Sequence, residues 1–162
     1  VNQDECPLQI SKELDKTSML LVLHWAMKYL PRKFRETQTD WFGKRGIPWH
    51  ITVAFRRVDN QDMEMMTFVH LFEASKQDNY DVLAILDDVF LQLKSANPDL
   101  QGVHLRQDNT NCYHCALTVF AAYQAAKKNN LQLKSMDFSD PREGRAPVIE
   151  RPLRSNPMWQ FI

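Results

Sequence analysis

"GVHLRQDNTNCYHCALTVFAAYQAAKKNN", residues 102–130, is the stretch whose reading decides the fold. Its first six residues, Gly102–Gln107, have the length and composition of a short strand. From Cys115 to Asn130 the run is Ala-rich and apolar on one face, and Lys127 and Lys128 stand in its last turn, where cations complement a helix dipole. Between strand and helix lie Asp108, Asn109, Thr110, Asn111, Cys112, Tyr113 and His114. Asp108 therefore sits where the strand should end. It can cap or turn the chain into the helix, as Asn109, Thr110 or Asn111 could equally well, or it can carry chemistry.

Working outward, "NYDVLAILDDVFLQLKSANP" before this stretch is the clearest helix: Val82, Leu83, Ile85, Leu86, Val89, Phe90 and Leu93 recur at three- and four-residue spacing. Asp78 or Asn79 can cap its start, and Asn97-Pro98 ends it. Further upstream, Met19–Leu23 is a continuous apolar run of strand length, as in a strand buried on both faces. "IPWHITVAFRR" alternates, with Ile51, Val53 and Phe55 on one side, and "MEMMTFVHLFEAS" after the polar turn "VDNQD" reads as a third strand. "PRKFRETQTDWFGKRG", from Pro31 to Gly46, reads as a long loop. Downstream, "LQLKSMDF" reads as a fifth strand, and Ser139 to Ile162 has little periodicity.

The 162 residues suffice for one domain with a core; 44% are hydrophobic and 25% charged, the profile of a globular protein. Formal net charge is zero, so any nucleic-acid surface must be local. Three cysteines make no disulfide framework and fit a reducing, intracellular compartment. No apolar run reaches membrane-span length, so no membrane partner is expected. The chain begins at Val1 rather than Met, and we expect a piece of a longer protein with flanking domains.

Three meandering strands followed by helix, strand, helix and strand predict an α/β mixed sheet flanked by helices. This order resembles the ribonuclease H-like fold. The resemblance implies that strands one and four lie side by side, and that carboxylates at their ends, with one from a later helix, bind two divalent cations. Mg²⁺ or Mn²⁺ would then activate a nucleophile and stabilise the leaving oxygen of a phosphodiester. The strand-four acid is Asp108. The strand-one position is His24, and a neutral imidazole is a poor Mg²⁺ ligand.

"HWAMKYLPRKFRETQTDWFGKRGIPWHITV", "RQDNTNCYH" and "DFSDPREGR" together resemble a group of transposon-derived animal proteins similar to DDE-type transposases. The resemblance covers roughly residues 18 to 150. It implies a domain over 18–150, an N-terminal extension at 1–17 and an irregular, truncated or divergent tail at 151–162. It also implies an ancestral reaction of metal-dependent DNA cleavage and strand transfer in the nucleus. The group carries an Asp before "WAMK", where this chain has His24. The group's second acid falls on Asp108 and its third on Glu150, so Asp108 and Glu150 are the expected metal ligands and His24, Asp108 and Glu150 the expected triad. With His24 substituted and Pro152 interrupting the helix expected around Glu150, the chain looks like a degenerate, inactive core.

Two other features compete. Cys112-Tyr113-His114-Cys115, with His104 nearby, reads as a zinc or thiol site or as two small residues packing a helix start. The segment after strand one is basic: Lys28, Arg32, Lys33, Arg35, Lys44 and Arg45 can neutralise phosphates, and Trp41 and Phe42 can stack on bases. This gives the alternative of a non-catalytic, domesticated remnant that binds DNA or a protein partner. The bland reading of the same segment is a solvated loop.

Overall fold

The computed structural model describes residues 14–32, 34–58 and 62–139, with the backbone of 154–157. Five strands appear in the expected order: β1 (Ser18–Trp25), β2 (Trp49–Arg57), β3 (Met63–Leu71), β4 (Gly102–Asp108) and β5 (Gln132–Ser139). Four residues of the stretch read as an irregular tail, Arg154–Pro157, pair as a sixth strand, β6. The sheet order is β5-β4-β1-β2-β3-β6. β1 is antiparallel to β2 and parallel to β4, β2 is antiparallel to β3, and β4 is parallel to β5. An antiparallel meander joined through its first strand to two parallel strands is a ribonuclease H-like sheet.

Four helices are described: α1 (Gln38–Gly43), α2 (Asn79–Ala96), α3 (Asn111–His114) and α4 (Ala116–Lys128). Helix α2 forms as its periodicity predicts. Val82, Ile85, Leu86, Val89, Phe90 and Leu93 are buried, and the Asp78 carboxylate accepts from the N–H groups of Tyr80 and Asp81. These side chains meet Met19, Leu21, Leu23, Val103 and Leu105 of the central strands and Ala122 and Ala126 of α4. Each large apolar side chain buried here contributes about 1.5–3 kcal/mol. Asp87 ties α2 to α4 by an ion pair with Lys128 at 2.7 Å and by accepting from Asn129.

Two local expectations are corrected. The 31–46 loop contains α1, capped by Thr37, whose hydroxyl accepts from Asp40 N–H at 3.1 Å. The helix expected from Cys115 is preceded by a separate turn, α3, and Cys115 itself caps α4. In β2 the side chains turned to the helices are His50, Thr52 and Ala54, all fully buried. Ile51, Val53 and Phe55 share the other side, as their alternation predicts, opposite His24, Val22 and Leu20 of β1. Alternation fixes a strand's two sides but not which of them meets the helices.

Candidate active site

β1 and β4 run in parallel with Leu23 beside Gln107, so the next residues, His24 and Asp108, emerge together at the strands' C-terminal ends on one face. His24 Nδ1 lies 3.5 Å from Asp108 Oδ2. The imidazole is 64% exposed and the carboxylate 21%. The other carboxylate oxygen, Oδ1, accepts from Thr110 N–H at 3.0 Å, closing an Asx turn into α3. Of the residues that could make this turn, Asp108 therefore supplies the side-chain bond. Thr110 is the N-cap residue of α3, but its side chain makes no capping bond. Asp108 thus turns the chain with one oxygen and faces His24 with the other.

Glu150, the expected third acid, lies outside the described residues. Around Asp108 the described donors are the carboxylate oxygen that faces His24 and the imidazole nitrogen opposite it. No group of three His, Cys, Asp or Glu side chains able to hold a metal occurs among the described residues. A two-ion centre of hard oxygen ligands does not fit this donor set.

The cysteines serve the helix start. Cys115 Sγ accepts from Thr118 N–H at 3.4 Å and sits 3.0 Å from Thr118 Oγ1, and these bonds lower its thiol pKa. Cys112 Sγ lies 3.2 Å from Thr110 Oγ1; burial, with the nearby Asp108 charge, raises its pKa. His104 bonds Ser135 on β5 at 2.9 Å, away from both thiols in the sheet register. Ser135 in turn donates to Asp137 at 3.2 Å, so its hydroxyl stands between the imidazole and the carboxylate, which is not the order that activates a serine nucleophile.

The basic segment begins two residues after His24 and projects from the same end of the sheet. Its base is an extension of the β1–β2 pair. Tyr29 N–H donates to Ile47 O at 2.9 Å, Ile47 N–H to Tyr29 O at 2.8 Å, and the Trp49 indole N–H to Met27 O at 2.6 Å. Lys28, Arg32, Arg35 and Arg45 are exposed. Lys33 lies outside the described residues. Lys44 is committed within the segment. Its ammonium bonds the Glu36 carboxylate and the Pro31 carbonyl and lies 5.1 Å from the Trp41 ring centre. It organises the loop and is not a free phosphate contact. Trp41 itself is about half exposed, at 49%.

Beneath the sheet lies a buried polar cluster that residue order does not announce. His50 Nε2 is 2.8 Å from the Tyr113 hydroxyl, and His70 Nε2 is 3.0 Å from Asp88 Oδ2. The two imidazoles pair across β2 and β3, with ring centres 6.4 Å apart. Burial, followed by the neighbouring His70 and His24, pulls the His50 pKa down to about 3. Tyr113 is pushed above its ordinary value, chiefly by burial. Gln107, 1% exposed, finds no hydrogen-bond partner for either amide atom among the described residues.

No protein-family model matches the chain, and no curated protein matches its sequence. Among solved structures, the chain is similar to the Mn-soaked human cytomegalovirus terminase nuclease domain, at 9% identity and TM-score 0.44, over 82% of this chain and 55% of that one. It is also similar to the catalytic domain of Mos1 mariner transposase, at 12% identity and TM-score 0.41, over 82% and 56%. For the Mos1 transposase paired-end complex with the left transposon end, the values are 14% and 0.41, over 82% and 39%. The chain thus spans little more than half the length of the first two structures and less of the third. No helix among the described residues is long and apolar enough to cross a membrane.

Proposed function

We propose that this chain is a transposase-derived ribonuclease H-like domain that has lost phosphodiester cleavage and keeps a nucleic-acid-binding role. The observation that carries the reading is the His24–Asp108 pair, an imidazole and a carboxylate at the ends of adjacent parallel strands. Two-ion phosphoryl chemistry needs carboxylates at both positions, because hard cations select oxygen donors. His24 removes one of them. In this reading Asp108 and Glu150 are the surviving acids, His24 is the substitution that disables the site, and Mg²⁺ or Mn²⁺ would be the cofactor of the ancestral centre. DNA is the partner, met through Lys28, Arg32, Lys33, Arg35 and Arg45, and the site of action is the nucleus. Binding without cleavage, as in a domesticated remnant, is the working state; an origin as one part of a longer protein, with 18–150 as its core, accords with it.

Mn²⁺ calorimetry on the parent, His24→Asp and Asp108→Ala, followed by plasmid nicking, tests this. The expected result is no stoichiometric binding and no nicking by the parent, and binding gained in His24→Asp. Metal-dependent nicking by the parent that Asp108→Ala abolishes would overturn the claim of lost catalysis.

A further inference from the structure

We propose that the segment between β1 and β2 is a clamp for single-stranded nucleic acid, with its aromatic rings stacking on bases and its cations meeting the phosphates. The inference rests on the nucleic-acid-binding reading above and specifies the form of the ligand.

The segment is built and closed, but it contributes little to the core. The Tyr29–Ile47 pair seals its base, and Lys44 holds the Glu36 carboxylate and the Pro31 carbonyl inside it. Helix α1 within it has no buried residue. Met27 and Phe34 are each 91% exposed, Phe42 is 78% exposed, and Tyr29, Leu30 and Trp41 are each about half exposed. Scattered apolar residues on a surface are ordinary, but six large ones in a sixteen-residue span, on an internally braced loop, mark a binding surface.

Charge selects the occupant. Residues 26–48 carry six cations against two acids, in a chain of zero net charge. One of the two acids, Glu36, is neutralised by Lys44, and the other, Asp40, sits in the first turn of α1. Lys28, Arg32, Arg35 and Arg45 remain exposed, and the Arg35 guanidinium lies 5.4 Å from the Phe34 ring centre. Lys28 and Arg45 line a cleft of about 610 Å³ with Leu30, Pro48 and Glu73, between this segment and the β3–α2 connection. Protein-binding surfaces concentrate aromatics while excluding lysine from the centre. Here flat apolar groups and cations alternate along one short span. That pattern suits a polyanion with accessible base faces. A duplex hides those faces in its stack and offers the cations alone a partner.

The test is fluorescence anisotropy of the whole chain with labelled oligothymidine of about 20 nucleotides, and with a duplex of the same length. The variants are the double change Phe34→Ser with Phe42→Ser, both on solvent-facing rings, and the double change Arg32→Glu with Arg45→Glu. The parent is expected to bind the single strand at least about tenfold more tightly than the duplex. The aromatic variant should lose roughly tenfold or more on the single strand and nothing on the duplex. The charge variant should weaken both and flatten the salt dependence. Binding to duplex as tight as to single strand, unmoved by the aromatic variant, overturns the single-strand assignment and leaves nucleic-acid binding standing. Binding to neither overturns both. A parent dimer in light scattering that the aromatic variant dissociates, without oligothymidine binding, assigns the surface to a second copy of the chain and also overturns the proposal.

Discussion

His24 faces Asp108 across two parallel strands, its Nδ1 3.5 Å from Oδ2, with the second carboxylate oxygen held by the Thr110 N–H. Replacing His24 with Asp sets two like charges at this distance. At a site this exposed the repulsion is about 1 kcal/mol. We expect His24→Asp to be less stable than the parent by about that amount in chelator at pH 7. The loss should be recovered on adding Mn²⁺. Urea unfolding of both proteins, with and without the metal, measures it.

Gly46 sits where the clamp's two legs meet. A Cβ there would come within 2.6 Å of Lys28 Cβ and 3.4 Å of the Tyr29 carbonyl oxygen. Lys28 Cβ is fixed to the backbone, so the legs must part. Gly46→Ala should cost about 1–3 kcal/mol, as overpacking does, and should unprotect the Tyr29 and Ile47 amides in hydrogen exchange. Gly43 has open space around its would-be Cβ at the end of α1. Gly43→Ala is the matched control and should be neutral or stabilising by less than about 1 kcal/mol.

Gln107 buries an amide that finds no partner among the described residues. An unmet buried polar group costs about 1–3 kcal/mol, whereas an apolar group of like size incurs no such penalty. Gln107→Leu is therefore expected to raise stability by about 1–2 kcal/mol in urea unfolding. Unchanged or lowered stability would mean that the amide is satisfied in solution.

His50 gives the fold an acid sensitivity. Its folded pKa is about 3 against an ordinary 6.5, so below pH 6.5 the unfolded chain binds a proton that the folded chain refuses. Stability contributed by the neutral imidazole is complete above pH 6.5 and is lost as pH falls towards 3. The slope approaches about 1.4 kcal/mol per pH unit. Asp15, held down to about 2 by bonds from Ser18 and Thr17, acts in the same direction but only below its ordinary 3.8. Asp15 contributes nothing between pH 7 and pH 5, so the His50 contribution there is the difference between the parent and His50→Gln in urea unfolding, and the variant should flatten the profile.

Much of the frame was legible in residue order. Val82 to Leu93 announce α2 by period, Met19–Leu23 announce β1 by continuity, and 102–128 read as strand, turn and helix. The ribonuclease H-like resemblance, which implies that strands one and four are neighbours, puts residue 24 beside Asp108, and the sheet register has them there. What escaped has physical causes. Helix α1 is six residues long with no buried face, so hydrophobic period is silent and the Thr37 cap is its one signal. Which side of β2 meets the helices is also silent, because Ile51, Val53 and Phe55 alternate as well as a helix-facing row would. His50 and His70 are twenty positions apart and become neighbours through β2–β3 pairing, a relation that no local pattern encodes.

The Tyr29–Ile47 bridge also sets a tether. Three residues separate Trp25, at the end of β1, from Tyr29, and the four steps between them span at most about 14 Å when extended. The base of the basic segment is thereby kept within that reach of the sheet's end. In the proposed reading, the substitution at residue 24 is a loss of chemistry with delivery intact.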